Sequence, residues 1–175
     1  MYLPREDSEM LAEEVNKYAK GKVLDLGTGS GIQALSAAKS DRVKEVLAVD
    51  IDGEAIAYCH AEINNPKITF QVSDLFSTVK GKFDVIVFNP PYLPKDKGID
   101  DLALYGGKKG SELIEKFFDK ADEHLKQDGF ILLLFSSHTN KDKVDKIIRE
   151  RMYKVKLLNR KHIFFEDLYV YLVKK

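Results

Sequence analysis

Short apolar runs recur along the chain, separated by stretches in which apolar residues fall at helical spacing. Residues 83–88 and 130–135 are almost wholly apolar and too short for helices, and each predicts a strand buried on both faces. Residues 22–26, 45–50 and 67–72 predict three further strands, the last with one more polar face. This alternation of strands and helices predicts an α/β fold built around an open sheet.

The two ends of the chain carry different patterns. Residues 1–20 predict an amphipathic lid helix on the surface of the domain, with Asp7 or Ser8 as its N-cap. A role in contacting a ligand is the alternative for this helix. Residues 153–158 and 168–173 predict two strands joined by a short connection without a helix pattern, and therefore an antiparallel pair at the sheet edge.

Capping residues mark the starts of other helices. Asp52 is the expected N-cap of one helix and Ser111 of the next, and a further helix is predicted to start at Thr139 or Asn140. Each follows a predicted strand or loop, which agrees with the α/β pattern.

Composition limits the classes of protein that fit. A chain of 175 residues predicts one domain, residues 1–175. Its 28 basic and 28 acidic residues leave no net charge, so strong non-specific binding to nucleic acid is not expected. The single cysteine, Cys59, excludes an intrachain disulfide, and no apolar run approaches the roughly 18 residues of a membrane span. We therefore expect a cytoplasmic protein.

The most informative stretch follows the predicted strand of residues 83–88 and has the sequence Asn-Pro-Pro-Tyr, residues 89–92. The prolines stop the strand, so Asn89 lies at its carboxyl end, where open α/β sheets bind ligands. The Asn89 side chain and the Pro90 carbonyl together can hold both hydrogens of a planar NH2 group and leave its nitrogen open to an electrophile. Tyr92 adds an aromatic surface for stacking. A plain strand end with an Asn turn is the structural alternative.

Glycines alternate at Gly27, Gly29 and Gly31, directly after the predicted strand of residues 22–26. Such a turn lets the backbone approach a ligand closely. The spacing differs from Gly-x-Gly-x-x-Gly because residue 32 is isoleucine, and no Gly-Lys-Ser or Gly-Lys-Thr occurs. Both facts argue against a pyrophosphate cradle and a P-loop.

Acidic residues stand at three successive strand ends, as Asp25, Asp50 and Asp74. Asp50 lies about 20 residues beyond the glycine turn, where a carboxylate can accept hydrogen bonds from both ribose hydroxyls. With Asn89 at a fourth strand end, they predict one ligand site at the carboxyl edge of the sheet. The alternative is that loops are simply rich in aspartate.

The longest polar segment, residues 95–109, leaves directly from the Asn-Pro-Pro-Tyr corner. Loops of this length in a compact domain are commonly functional, so residues 93–110 are predicted to grip a substrate, with a plain surface loop as the alternative. The four histidines show no ligand spacing, and no metal site is predicted.

Four segments resemble a known family. Residues 23–31 (VLDLGTGSG) resemble the first motif of class I S-adenosylmethionine-dependent methyltransferases, and residues 89–92 resemble the motif of those that methylate amide or exocyclic amino nitrogens. Residues 4–9 (PREDSE) and 104–112 (LYGGKKGSE) are similar to segments of the HemK family, the release-factor glutamine methyltransferases, in its short archaeal and eukaryotic branch. The resemblance implies a Rossmann-like, seven-stranded, mostly parallel sheet with an antiparallel C-terminal edge hairpin and helices on both faces.

The resemblance also implies roles for individual residues. The residues implied to hold S-adenosylmethionine belong to the N-terminal helix, the glycine turn and the strand ends: Ser8, Asp25, Gly27, Gly29, Gly31, Asp50, Ile51, Asp74, Leu75 and Asn89. Ser8, Asp25 and Gly27 would face its methionine end, Asp50 its ribose, and Asp74 with Leu75 its adenine. The catalytic set implied to hold the substrate NH2 is Asn89, Pro90, Pro91 and Tyr92.

By this resemblance the protein is a protein-glutamine N5-methyltransferase, and its substrate is the glutamine of the Gly-Gly-Gln motif in a translation termination factor. An adenine or guanine amino-methyltransferase on DNA or RNA is the first alternative, and the neutral charge disfavours it. A non-catalytic cofactor-binding subunit is the second, and the presence of a substrate clamp disfavours it.

The short branch of the family is associated with a small zinc-binding activator protein that pairs along a sheet edge. Residues 67–72 are the strand expected at that edge, with Ile68, Phe70 and Val72 on it. The resemblance therefore implies an activator subunit near residues 68–72.

Overall fold

The computed structural model describes residues 4–91 and 111–175. Within these ranges the helices are α1 (Glu6–Tyr18), α2 (Ile32–Ala38), α3 (Gly53–Glu62), α4 (Glu112–His124) and α5 (Lys141–Glu150), with a 3-10 turn at Ser137–Thr139. The strands are β1 (Gly21–Leu26), β2 (Val43–Asp50), β3 (Ile68–Val72), β4 (Phe83–Phe88), β5 (Leu125–Ser136), β6 (Lys154–Ile163) and β7 (Glu166–Lys174).

The strands form one sheet in the order β3-β2-β1-β4-β5-β7-β6. The first five in this order are parallel, and β7 is antiparallel to both β5 and β6. The predicted seven-stranded, mostly parallel sheet with an antiparallel edge hairpin is confirmed. Because β2 and β4 flank β1 on opposite sides, a crevice opens between the carboxyl ends of β1 and β4.

Apolar side chains cover both faces of the sheet. Val23 of β1 packs into a cluster with residues of α1, α2 and α3, whereas its neighbour Leu24 packs on the other face with residues of α4 and α5. Phe117 of α4 is fully buried there. Each large apolar side chain buried in this way contributes about 1.5–3 kcal/mol. Two buried faces explain why the central strands are runs of apolar residues.

The start of α1 differs from the sequence prediction. The helix begins at Glu6 with Arg5 in the N-cap position, so the prediction that Asp7 or Ser8 is the N-cap is wrong. Both side chains lie inside the first turn and are buried, at 4% and 3% exposure, because they face the cavity side of the domain.

The other predicted caps have mixed outcomes. Asp52 accepts a hydrogen bond from the Glu54 backbone N–H at 2.9 Å, which confirms it as the cap of α3. Asn140 caps α5 through the Lys143 N–H at 3.2 Å. Ser111 occupies the N-cap position of α4, but its hydroxyl makes no capping bond.

The C-terminal hairpin is longer than the sequence predicts. β6 extends to Ile163 and β7 begins at Glu166, so only Phe164 and Phe165 form the turn. The second half of β6 lies at the sheet edge and is mostly exposed. Its polar residues therefore carry no apolar alternation from which a strand could be predicted.

Candidate active site

A cavity of about 1060 Å³ opens at the carboxyl edge of the sheet, above β1, β2 and β4. Its walls come from the glycine turn, the ends of β2, β3 and β4, the start of α1 and the tip of the β6–β7 hairpin. This volume is at the upper end for small-molecule sites, so it can hold a cofactor together with part of a second molecule.

The glycine turn takes a conformation that other residues rarely adopt. Gly27, Gly29 and Gly31 have φ angles of +73°, +53° and +81°. A Cβ added at Gly27 would meet nothing within 4 Å, whereas one at Gly31 would lie 2.4 Å from the Ile63 side chain. Gly27 therefore presents bare backbone to open space, and Gly31 allows close packing against α3.

Asp25 stands behind this turn rather than in the cavity wall. Its Oδ2 accepts hydrogen bonds from the Thr28 hydroxyl at 2.6 Å and from the Ala34 backbone N–H at 3.0 Å. The residue is only 1% exposed, and burial raises the pKa of its carboxyl to about 7. Asp25 thus ties the turn to the first turn of α2.

Asp50 ends β2 and lines the cavity. Its two carboxylate oxygens accept hydrogen bonds from the backbone N–H groups of Gly29 at 2.8 Å and Asp52 at 2.9 Å. Each oxygen keeps a second lone pair, so Asp50 can still accept hydroxyl hydrogens from a ligand. The two backbone bonds fix its orientation in advance.

Asp74 and Leu75 follow β3 and also line the cavity. Leu75 has a φ of +46°, which is uncommon for a leucine. The Ser73 hydroxyl donates to the Leu75 carbonyl at 2.8 Å and the Asp74 N–H donates to Ser77 Oγ at 3.1 Å. These bonds hold the unusual loop conformation in place.

Asn89 at the end of β4 faces α1. Its Nδ2 donates to Asp7 Oδ2 at 3.2 Å. Its Oδ1 is buried and has no hydrogen-bond partner in the part of the chain that the structure describes. An unsatisfied buried acceptor of this kind costs about 1–3 kcal/mol, so the site is built to receive a donor.

The first turn of α1 forms the opposite wall of the cavity. Ser8 and its neighbours from Arg5 to Glu9 line it, and the Ser8 carbonyl accepts a hydrogen bond from Gln33 Nε2 at 2.9 Å. Gln33 Oε1 is buried without a partner among the described residues, like Asn89 Oδ1. Two polar acceptors thus remain available in this region.

Most of the predicted site residues meet in this cavity. Those that line it are Ser8, Gly27, Gly29, Asp50, Ile51, Asp74, Leu75, Asn89, Pro90 and Pro91. Asp25 and Gly31 do not line it; they shape the turn from behind. Tyr92 and the predicted substrate loop, residues 93–110, lie outside the described residues.

Several residues of the cavity wall are not among the predicted site residues, and three of them matter for the argument below: Asp7, Gln33 and Phe164. Asp7 was assigned to helix capping, and its contact with Asn89 joins residues 82 positions apart. Gln33 follows the glycine turn, where a polar residue at the start of an apolar helix was the only available signal. No local pattern marked Phe164.

A family model described as the methyltransferase small domain matches residues 6–165. This chain belongs to that family. A Methanocaldococcus jannaschii protein with the provisional name protein N5-glutamine methyltransferase is 37% identical to this methyltransferase over 177 residues, covering 97% of this chain and 89% of that protein. The predicted membership in the HemK family is confirmed.

Of two further relatives of this methyltransferase, one is much longer than this chain and the other has almost the same length. The release factor glutamine methyltransferase of Lactococcus lactis is 36% identical over 146 residues, covering 75% of this chain but 54% of that protein. This chain therefore spans little more than half the length of that relative. A chain of the E. cuniculi Mtq2–Trm112 complex, responsible for methylation of the eRF1 translation termination factor, superposes with a TM-score of 0.80 at 29% identity, covering 99% of this chain and 98% of that one.

None of the described helices combines the length and apolar composition needed to cross a membrane. Within residues 4–91 and 111–175, no three His, Cys, Asp or Glu side chains are grouped so that they could hold a metal ion.

Proposed function

We propose that this methyltransferase transfers a methyl group from S-adenosylmethionine to the side-chain amide nitrogen of a glutamine in a translation termination factor. The observation that carries the proposal is the buried, unpartnered Oδ1 of Asn89 at the cavity wall, among the residues described. A substrate NH2 group would satisfy this acceptor. The names of the relatives support the same choice of substrate.

The catalytic set at the end of β4 acts as a clamp. Asn89 and Pro90 line the cavity, and their carbonyl oxygens accept the two hydrogens of the substrate NH2. Two such acceptors favour the positive charge that develops on the nitrogen as it is alkylated. Pro91 fixes the backbone of this corner, and Tyr92 provides the stacking surface for the flat amide.

Asp7 determines which way the Asn89 amide faces. The oxygen and nitrogen ends of an asparagine have nearly the same shape, so their hydrogen-bond partners decide the orientation. The Asp7 carboxylate accepts from Asn89 Nδ2 and has no hydrogen to donate. It therefore holds the NH2 end toward α1 and leaves Oδ1 for the substrate, which makes Asp7 a positioning residue.

The cofactor residues fit S-adenosylmethionine. The open space at Gly27 lets the cofactor lie against bare backbone. Asp50 would accept its ribose hydroxyls, Asp74, Leu75 and Ile51 would hold its adenine, and Ser8 and Gly29 would hold its methionine end. All of these residues line the cavity. Asp25 and Gly31 act indirectly, by holding the glycine turn in shape.

When bound, S-adenosylmethionine supplies a methyl group that the amide nitrogen takes up with its lone pair, while the C–S electron pair remains on sulfur and one proton leaves the nitrogen for water. The described residues contribute alignment and charge stabilisation. Holding two reactants in line can supply about 7–11 kcal/mol of the barrier.

A small zinc-binding activator protein binds at the β3 edge in this proposal, as Trm112 accompanies the E. cuniculi relative. β3 is the last strand of the sheet on that side, so the middle of its outer edge can pair with another chain, while the Ile68 N–H and the Val72 carbonyl are bonded within this chain. Val72 is exposed there, at 50%. Ile68 and Phe70 lie on the same strand and are largely buried.

The chain is organised as one catalytic domain that works in the cytoplasm. Residues 1–20 form a lid whose first helical turn borders both the cofactor and the clamp, and residues 93–110 hold the substrate. The position of Arg5 to Glu9 in the cavity wall supports the lid assignment.

A methyl-transfer assay tests the proposal. The chain, produced together with its activator, is given labelled S-adenosylmethionine and separately a termination factor, the factor with its Gly-Gly-Gln glutamine changed to alanine, and DNA or RNA. We expect label in the factor and none in the alanine variant. Transfer to nucleic acid alone would replace the protein substrate by an exocyclic base amine.

A further inference from the structure

Two phenylalanines form the turn between β6 and β7, and both are almost wholly exposed. Phe164 is 87% exposed and Phe165 is 95% exposed. Two-residue hairpin turns favour Asn-Gly or Gly because the backbone needs positive φ angles there. Phe164 has a φ of +49°, which bulky residues rarely adopt.

This turn is unfavourable for folding in two ways. A left-handed conformation is unfavourable for a non-glycine residue, because its Cβ approaches the following carbonyl oxygen. Exposed aromatic rings also bury little apolar surface, so they add little hydrophobic stabilisation to offset the unfavourable backbone conformation. Strained residues of this kind concentrate at functional sites, where the surroundings hold them in place.

The position of the turn indicates which function. Phe164 lines the cavity that contains Asn89, together with Ile163 and Glu166 on either side of the turn. Lys161 forms an ion pair with Glu6 of α1 at 3.6 Å, which ties the hairpin to the opposite wall of the cavity. Phe164 therefore stands at the mouth of the site, with Phe165 beside it in the turn.

We infer, on the basis of the proposed function, that Phe164 and Phe165 are a docking point for the polypeptide segment that carries the target glutamine. Asn89 Oδ1 is buried, so the amide must reach it at the end of a side chain. A glutamine side chain is short, and the main chain on either side of it must therefore lie across the cavity mouth. Aromatic side chains, phenylalanine included, are enriched at the buried centre of such contacts.

The charges around the turn favour a polypeptide over a polyanion. Arg160 pairs with Asp167 at 2.9 Å, and His162 contacts the same carboxylate at 3.2 Å. Lys161 is paired with Glu6. Nucleic-acid binding depends on cations that neutralise phosphates, and Arg160 and Lys161 already face carboxylates.

Replacement of Phe164-Phe165 by Asn-Gly separates docking from folding. Asn tolerates the positive φ of residue 164 better than Phe does, and Gly adopts the backbone of residue 165 without strain, so we expect the melting temperature to stay the same or rise. The KM for the termination factor should rise about tenfold or more, with kcat at saturation and the dissociation constant for S-adenosylmethionine within about twofold of the parent. The assay uses the chain with its activator.

Met152→Asn is the matched control. Met152 is 81% exposed and has a φ of +65°, but it does not line the cavity. It should leave the KM unchanged. An unchanged KM for the Asn-Gly variant, or a fall in kcat alone, would overturn the inference. Loss of binding to RNA without loss of factor methylation would assign the rings to nucleic acid instead. A parent protein inactive on the factor would refute the proposed function first, and the docking inference with it.

Discussion

Asp7 and Asp25 are both buried aspartates near the cavity, yet their surroundings give them different roles. Asp7 accepts a hydrogen bond from the Asn89 side chain and faces the cavity. Asp25 accepts from Thr28 and from the α2 backbone, outside the cavity wall. Substitution of the first should change turnover, and substitution of the second should change stability and its dependence on pH.

Alanine substitutions at Asp7 and Asn89 should not act independently. We expect Asn89→Ala to lower kcat about 100-fold or more while cofactor affinity stays within about threefold, because one acceptor for the developing charge is lost. Asp7→Ala should lower kcat about tenfold, because Asn89 can then turn its oxygen away. In the Asn89→Ala background, Asp7→Ala should have no further effect.

A double-mutant cycle in single-turnover kinetics measures this coupling. Asp7→Asn serves as the conservative control, since its carbonyl oxygen can still accept from Asn89, and it should retain more activity than Asp7→Ala. Multiplicative losses in the double variant would show that Asp7 acts elsewhere.

Asp25 should make stability depend on pH. Burial raises the pKa of its carboxyl to about 7 in the folded protein from the ordinary value of 3.8. Between these values the folded state holds a proton that the unfolded state has released, so stability falls as the pH rises through this window. The difference between the folded and unfolded pKa values corresponds to a loss of roughly 4 kcal/mol in the free energy of unfolding across this window.

Asp25→Asn removes the charge but keeps an acceptor for Thr28 and Ala34. Urea unfolding at pH 5 and pH 8 should therefore give a larger gain for Asp25→Asn over the parent at pH 8. A difference that is the same at both pH values would mean that Asp25 does not carry the pH dependence.

Among the elements, those with strong local patterns could be predicted from the sequence. The apolar runs gave the buried strands β4 and β5, and Asp52 and Asn140 marked helix starts through their side chains. The second half of β6 could not be predicted, because an exposed edge strand needs no apolar alternation. The site was predictable at the strand ends, since parallel strands align their carboxyl ends at one edge.

The contacts between distant elements could not be predicted. Nothing near Asp7 in the sequence indicates that it meets Asn89, and nothing near Phe164 indicates that the hairpin reaches the cavity. Likewise, the place of Asp25 at a strand end predicts a ligand contact, whereas in the structure its carboxylate is bonded to Thr28 and Ala34 behind the glycine turn.

The link between the glycine turn and α3 can be tested at Gly31. Gly31→Ala should lower the free energy of unfolding by about 1–3 kcal/mol, because a left-handed backbone disfavours Ala and the new Cβ would lie 2.4 Å from the Ile63 side chain. Gly53→Ala is the control. Gly53 starts α3, and a Cβ added there would meet nothing within 4 Å. The Gly53→Ala substitution should therefore leave the free energy of unfolding unchanged or raise it slightly. Urea unfolding of both variants measures this difference. Equal stabilities would contradict the close packing of Gly31 against Ile63.

At the scale of the whole molecule, the two edges of the sheet differ in what they offer. β3 and β6 are the two outermost strands. Val72 on β3 and Leu157 on β6 are about equally exposed, at 50% and 49%. If the activator binds at β3, substitution of Val72 should weaken its binding and substitution of Leu157 should not.

Val72→Lys should therefore reduce recovery of the activator with the chain about tenfold in a co-expression pull-down, because a charge would be buried at the interface. Leu157→Lys should leave recovery unchanged. Equal recovery with both variants, or a loss confined to Leu157→Lys, would place the partner elsewhere.

The direction of β7 has a practical consequence for handling the enzyme. β7 runs antiparallel to β5, with Val173 opposite Ile131 and Leu168 opposite Ser136, so the last residues lie at the rim of the sheet far from the cavity. Arg5, by contrast, borders the cavity. An affinity tag or a surface tether attached after Lys175 should leave substrates free to approach, whereas the same addition ahead of Pro4 would stand in their way.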